Sequence, residues 1–254
     1  MLSRNMFIAN ENWLRFYINV ESIEKGENMS DYKIEKPTPY YEQFYHSIKK
    51  MIFEGKFKPG ERIIETQLAK EFNVSKSPVR EAIRILETEG LVTVDEKSRV
   101  IVYEPTIKDV EEIYFCRMAL ESFAVGLTTT ISTDTELADI ESTLKQTEQA
   151  ILHSEEANTI ITLNEQFHNL IVQYTHNRRL QKQLNDLKSL MYFFRILNFQ
   201  GEGRADQILS QHWDIFSQMK KRNAEQASKE MVEHLKLDLS HLIGVLHTTE
   251  TTEP

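Results

Sequence analysis

Four polar side chains interrupt apolar helical stripes in the second half of the chain: Asn164, His168, His212 and His234. Asn164 and His168 are four residues apart and so share a helix face, one turn from each other. His212 falls on a later helical stretch and His234 on the last, so imidazoles from three helices can converge on one point inside a bundle. Neutral imidazole is a favoured ligand for zinc, nickel or copper, and three of them leave coordination positions open for water or a ligand. By spacing alone the signal is weak: the chain has eight histidines, and His153, His176 and His247 read as surface residues. Arg117 and Glu121, also four apart, admit two readings. One is a planar guanidinium fork clamping a carboxylate in a pocket, the other an intrahelical surface pair worth only a few tenths of a kcal/mol. Arg195, after the apolar run Met191-Tyr192-Phe193-Phe194, is a second candidate for a carboxylate, whereas Phe167, Tyr192 and Trp213 read as packing.

A second set is basic. Lys76, Arg80 and Arg84 recur every four residues opposite the apolar stripe Val79, Ala82, Ile83 and Leu86, and therefore line the outer face of one helix. Cations near a helix start can reach base edges or phosphates in a major groove, and arginine can take guanine bidentately. Ser75 and Ser77 can donate to phosphate. A merely solvated helix face is the competing reading, and the turn chemistry and hairpin around this helix decide for DNA.

Those groups need elements to hold them. Tyr41, Phe44, Tyr45, Ile48, Met51 and Ile52 follow the spacing of one helix face, ended by Gly55 and Pro59-Gly60. A second helix reads from about Thr66 through Phe72, with Asn73 suited to a left-handed exit. Val74-Ser75-Lys76-Ser77-Pro78 opens a third, with Ser75 or Ser77 as cap and Pro78 in the first turn, and Gly90 ends it. Leu91–Val94 and Val100–Tyr103 are β-branched runs separated by five polar residues, which reads as a hairpin. From the cap residue Thr106 onward only helical periodicity follows, over about 108–131, 134–153, 157–175, 178–199, 204–222 and 224–247. The short connections predict an antiparallel bundle. The fold class expected is mainly α: an N-terminal winged helix-turn-helix followed by an all-α antiparallel helical bundle.

Composition agrees. The 254 residues suit two domains, and 40% hydrophobic with 27% charged residues excludes disorder and fibrous repeats. No apolar run is long enough to span a bilayer, and one cysteine, Cys116, excludes an intramolecular disulfide and suits a reducing compartment. The net charge of −9 is unevenly spread. Residues 33–103 carry 13 Lys and Arg against 11 Asp and Glu, a net of +2, whereas residues 104–254 carry 14 against 23, a net of −9. The acidic part would repel DNA phosphates and help orient the basic one. The expected division is an extension over 1–32, a DNA-binding domain over 33–104, a bundle over 105–247 and a tail over 248–254. Lys25-Gly26-Glu27-Asn28 can back-translate to a purine-rich ribosome-binding sequence just before Met29, so two readings stay open: Met29 as the natural start, or residues 1–28 as a genuine N-terminal arm.

Gly60-Glu61-Arg62-Ile63-Ile64-Glu65, Leu68-Ala69, Val74-Ser75-Lys76-Ser77-Pro78-Val79-Arg80-Glu81-Ala82-Ile83, Leu86-Glu87 and Glu89-Gly90-Leu91-Val92 together resemble the GntR family of bacterial transcription regulators. The resemblance maps the recognition contacts to Lys76, where many members have arginine, and to Arg80. An arginine used by some members near the start of the second helix falls on Thr66. The wing usually carries glycine; here it is Asp95-Glu96-Lys97-Ser98-Arg99, in which only Lys97 and Arg99 can approach the minor groove. The bundle is similar to the FCD ligand-binding domain of the FadR-type branch, many of whose members bind a divalent metal through an Asp-x-x-x-His pair and two later histidines. The matching residues are Asn164, His168, His212 and His234, followed by Asn177 and Leu180 in the Asn-x-x-Leu turn usual in the branch. Asn164 stands where the pattern has Asp, so a site for zinc, nickel or manganese is expected to be weakened. The resemblance also puts Arg117 in the pocket.

The expectation that follows is a non-enzymatic, sequence-specific DNA-binding regulator in the bacterial cytoplasm. It implies a homodimer on a short palindromic operator, with a bundle that senses a small acidic metabolite held by Arg117, Asn164 and Arg195, with or through a divalent metal. The alternative is a DNA-binding protein whose bundle only dimerises. A helical metalloenzyme is more remote: Glu165-x-x-His168 is the sole copy of a motif that di-iron bundles need twice.

Overall fold

The structure, a computed structural model, describes residues 38–250, so the readings of the 1–32 extension and of Met29 lie outside the described residues. In chain order the elements are α1 (Tyr40–Phe53), β1 (Arg62–Ile63), α2 (Glu65–Glu71), α3 (Lys76–Thr88), β2 (Val92–Val94), β3 (Val100–Val102), α4 (Ile107–Ile131), α5 (Asp134–Leu152), α6 (Ala157–Gln173), α7 (Arg178–Asp186), α8 (Lys188–Asn198), α9 (Arg204–Lys220) and α10 (Ala224–Glu250).

The small N-terminal part forms because three short amphipathic helices share one apolar centre. Phe44, Ile48 and Ile52 of α1 meet Leu68 and Ala69 of α2 and Val79, Ala82, Ile83 and Leu86 of α3, all buried. Each fully buried side chain of this size contributes about 1.5–3 kcal/mol. Asn73 takes the left-handed conformation (φ 52°) that the tight turn between α2 and α3 requires. Ser75 occupies the N-cap position of α3 in an extended conformation but makes no capping hydrogen bond through its side chain. The expected hairpin is β2–β3, and β1 joins it to give an antiparallel sheet in the order β1-β3-β2, with Ile63 opposite Val100. That edge strand was not anticipated: two residues carry no readable alternation.

In the bundle α10 lies along α4, α9 packs on α10 and α5 on α6. Thr106 and Thr133 cap α4 and α5 through reciprocal capping boxes with Asp109 and Glu136. One expected helix is divided: 178–199 breaks at Leu187, whose N–H turns back onto the carbonyls of Asn185 and Leu184. Asn185 and Asp186 are both poor helix formers, which favours a break here, and α8 starts at Lys188 after it. As a result Met191, Phe194 and Arg195 face inward. α10 runs past the expected end at His247 to Glu250. No described helix is long and apolar enough to cross a membrane.

Candidate functional site

Two sites can be built from the residues upward. On the N-terminal part, Thr66, Ser75, Lys76, Ser77, Arg80, Arg84, Lys97 and Arg99 are all exposed. Lys76, Arg80 and Arg84 project from α3 on the side away from Val79, Ala82 and Ile83, because the helical period separates the two sets. The wing is shaped by Asp95. Its Oδ1 accepts from the backbone N–H groups of Lys97 and Arg99, both at 2.9 Å, and its Oδ2 accepts from Arg99 Nε at 2.6 Å. These bonds from Arg99 and Lys97 lower the Asp95 carboxyl below its ordinary pKa. Arg99 is therefore held by its own turn, and Lys97 is the wing cation left facing outward.

The second site is in the bundle interior. Asn164, His168, His212, His234, Arg117 and Arg195 are all buried. The structure brings the three histidines together, with Asn164 one helical turn before His168 on α6 and Arg117 and Arg195 close enough to act on their charge. Arg117 and Glu121 are not a surface pair: the guanidinium is wholly buried and its Nε donates to Glu121 Oε1 at 2.7 Å. Glu121 Oε2 accepts from His168 Nδ1 at 2.6 Å, which leaves His168 Nε2 as a lone pair pointing inward without a protein partner. His234 Nδ1 faces Gln211 Oε1 at 2.8 Å, fixing the same tautomer on that ring. His212 is stacked on Phe167, ring centroids 4.1 Å apart, and its Nε2 lies 3.3 Å from His234 Nε2. Two nitrogens at tetrahedral positions 2.0–2.1 Å from one zinc are themselves about 3.3 Å apart. One ligand atom from each of His168, His212 and His234 lies within 4.8 Å of the others. The donor set thus fits a divalent cation, and the Glu121–His168 contact is the carboxylate–imidazole support such ligands commonly have.

Burial governs the electrostatics. It pushes His212 well below the usual imidazole range, with His234 and His168 adding to the shift, and lowers His234 to about 4 against the opposing pull of Asp238. His168 is lowered by burial despite Glu121. Burial would raise Glu121, but Arg117 and His168 overcome it and hold the carboxyl well below its ordinary value. Arg195 is lowered by burial and by the charge of Arg117. Among the described residues its Nε, Nη1 and Nη2 have no hydrogen-bond partner, nor have Arg117 Nη1 and Nη2 or the Tyr114 hydroxyl. A cavity of about 310 Å³ between α6, α7 and α8, lined by Gln173, Gln181, Asn185 and Met191 among others, reaches Glu121 and His168 at the edge of this cluster.

The comparisons with known proteins decide the family. Residues 40–102 match the bacterial regulatory proteins of the gntR family, and residues 112–237 match the FCD domain. The chain is 48% identical over 218 residues to an uncharacterized HTH-type transcriptional regulator, YdhC, of Bacillus subtilis (strain 168), covering 86% of this chain and 97% of that protein. The chain belongs to the GntR family, with an FCD domain. The HTH-type transcriptional repressor RspR of Escherichia coli (strain K12) is 26% identical over 78% of this chain and 86% of its own. The solved structure of E. coli McbR/YncC shares the fold, with a TM-score of 0.67 at 22% identity over 82% of this chain and 99% of that one. This GntR-family chain is a DNA-binding transcriptional regulator, and its relatives are named as regulators, not enzymes.

Several residues of the regulator's interior escaped the sequence reading. Asp238 accepts from Arg204 Nη2 at 2.6 Å and lies 3.6 Å from His234 Nε2. The i, i+4 spacing of His234 and Asp238 on one helix face was a usable signal; Arg204, Gln211 and Tyr114 gave none. Also unforeseen is the polar seam joining the two parts. Lys49 Nζ donates to Tyr45 OH, Glu89 Oε2 and Ser189 Oγ at 2.7, 2.7 and 2.8 Å, while Tyr45 OH donates to Glu89 Oε1 at 2.6 Å. Next to it, a Cβ on Gly90, which sits at φ +76°, would meet Leu190 Cδ1 at 3.1 Å. α3 therefore ends against α8, the helix that carries Arg195.

Proposed function

We propose that the regulator is a homodimer in the bacterial cytoplasm that reads a short palindromic operator and releases or tightens on it when a small carboxylate enters the bundle. Reading falls to Lys76, Arg80 and Arg84 on α3, with Ser75, Ser77 and Thr66 on phosphates and Lys97 and Arg99 at the wing. His168, His212 and His234, with Asn164, hold a divalent cation that supplies Lewis-acid charge for the effector's oxygens. Arg117 and Arg195 take the carboxylate. The observation that carries this reading is the set of five guanidinium nitrogens on Arg117 and Arg195, buried without protein partners beside three convergent imidazoles. Buried polar groups are almost always satisfied, and an interior that leaves five cationic donors unmatched calls for an anion.

The route from pocket to operator runs along α8. Arg195 lies near its inner end, while Ser189 and Leu190 lie against Glu89 and Gly90 at the other. An effector shifts operator affinity only by its differential binding to two arrangements, and tenfold needs about 1.4 kcal/mol. One charge-assisted carboxylate clamp is of that order.

For the homodimer, the support is an apolar stripe on the outer face of α4: Phe115 and Phe123 are 64% and 58% exposed, with Ala119 between them. The experiment that tests the functional reading is elemental analysis of tag-free protein and of His212→Ala, followed by operator titrations with a panel of carboxylates. Near-stoichiometric zinc, nickel or manganese in the wild type, lost in the variant, with a carboxylate-dependent change in operator affinity is the expected result. Operator affinity indifferent to every carboxylate, with or without added metal, overturns it and leaves a bundle that only dimerises.

A further inference from the structure

Among the described residues, Lys76 and Arg84 form no ion pair, yet Arg80 between them is held. Its Nε donates to Glu65 Oε2 at 2.9 Å, across the turn from α3 to the first residue of α2. Arg80 keeps 58% of its side chain exposed and Glu65 25%, so the pair sits at the surface, beside the cations that would face DNA. A carboxylate in that place is electrostatically unfavourable for a polyanion: it cancels charge that a purely phosphate-attracted protein would use. Its compensation is geometric. Occupying Nε leaves Nη1 and Nη2, outside that contact on a side chain 58% exposed, as a pair of donors that can match guanine O6 and N7. A long side chain that would otherwise sample many rotamers is thereby set in one reading orientation before DNA arrives.

We propose that Glu65 is a positioning residue for base discrimination, exchanging general affinity for selectivity by fixing the guanidinium of Arg80. The inference rests on the reading that Arg80 contacts a base. Glu65 also stands in the first turn of α2, where any acid is favoured by the helix dipole, and the two roles separate under a conservative substitution. Glutamine keeps an acceptor for Nε–H but loses the charge; alanine loses both.

The test uses the full-length protein and an operator selected by the wild type from randomised DNA, with affinities measured for that operator and for every single base-pair replacement. Wild type, Glu65→Ala, Glu65→Gln and Arg80→Ala are compared, each with its folding checked by circular dichroism. Arg80→Ala should flatten the preference at one base pair of each half-site. Glu65→Ala should reduce the preference at that same pair by about tenfold, within the range a bidentate arginine–guanine contact supplies. Its affinity for unrelated DNA should stay level or rise. Glu65→Gln should keep most of the preference while sharing the rise. If Glu65→Ala retains the full preference, or if Glu65→Gln loses as much as Glu65→Ala, the positioning role is overturned while the role of Arg80 stands. If Arg80→Ala keeps the preference, the underlying reading of Arg80 falls first.

Discussion

Replacing Arg195 by methionine should make the ligand-free protein more stable and deaf to carboxylates. The guanidinium is buried, its three nitrogens have no protein partners, and burial and Arg117 together disfavour its charge. Glu121, its main counter-charge, keeps both Arg117 and His168 after the substitution. An unsatisfied buried polar group costs about 1–3 kcal/mol, and methionine fills a similar volume without that cost. Replacing buried ions with apolar groups of like size is often stabilising by about 1–4 kcal/mol. We therefore expect a gain of about 1–3 kcal/mol, which for a chain of this size is a rise in melting temperature of about 3–9 °C. The assay is calorimetric unfolding at neutral pH in a chloride buffer free of oxyanions, with a chelator present. A carboxylate that raises the wild-type melting temperature should then leave Arg195→Met unmoved. A variant that melts lower than wild type in the absence of any carboxylate would show that Arg195 is already compensated by the protein, and the argument for a waiting anion site would lose its footing.

Three further outcomes are expected. Because His234 is depressed to about 4 in the folded state, the unfolded chain binds the extra proton between pH 6.5 and that value; stability should fall as pH drops through this window, by about 2 kcal/mol from His234 alone at pH 5, read from urea unfolding. A flat profile from pH 7 to 5 would contradict the buried neutral imidazole. If the proposed dimer forms through α4, Phe115→Glu with Phe123→Glu should give a monomer in light scattering where the wild type gives a dimer, since two exposed phenylalanines buried at an interface are together worth about 3–6 kcal/mol; an unchanged mass would move the interface elsewhere. Asn164→Asp should tighten zinc binding by at least about tenfold in competition with a chromophoric chelator, and an unaltered affinity would remove residue 164 from the metal's surroundings.

The reading head was almost wholly legible in the sequence, and the reason is local. Helix faces, Asn73, Gly90 and the β-branched runs each report on their own neighbours within a few residues, which is the range over which period and turn chemistry operate. The bundle was legible as helices but not as a site. His168, His212 and His234 come from three elements far apart in sequence, and only the family resemblance singled them out from the other five histidines. The break at Leu187 was missed because apolar spacing runs through it from Leu184 to Met191, and it matters, since it turns Arg195 inward. The Arg117–Glu121 pair shows the limit most clearly. An i, i+4 pair of this kind looks the same on a wet face and in a dry core, and burial alone separates a solvated pair from a supporting carboxylate for His168.

The charge of the interior also explains how asparagine at 164 is compatible with a metal. Among the described residues the buried ionisable groups of the bundle, with neutral histidines, are Arg117, Arg195 and Arg204 against Glu121 and Asp238. Arg204 and Asp238 satisfy each other, and Glu121 is shared between Arg117 and His168, so the charge left without a hydrogen-bonded partner is that of Arg195, on which Glu121 and the half-buried Glu165 act only at longer range. A divalent cation on three neutral imidazoles and an amide carbonyl would add two more positive charges with no anionic ligand from the protein. In a medium of low dielectric such an excess is costly until an anion enters. Aspartate at 164 would supply that anion permanently; under the proposed function asparagine would leave it to the effector. Metal and carboxylate would then bind with a shared coupling free energy, each raising the affinity for the other by the same factor. On the proposed reading, the residue that reads in sequence as a weakened metal site would, in the setting of Arg195, make metal occupancy itself depend on the metabolite.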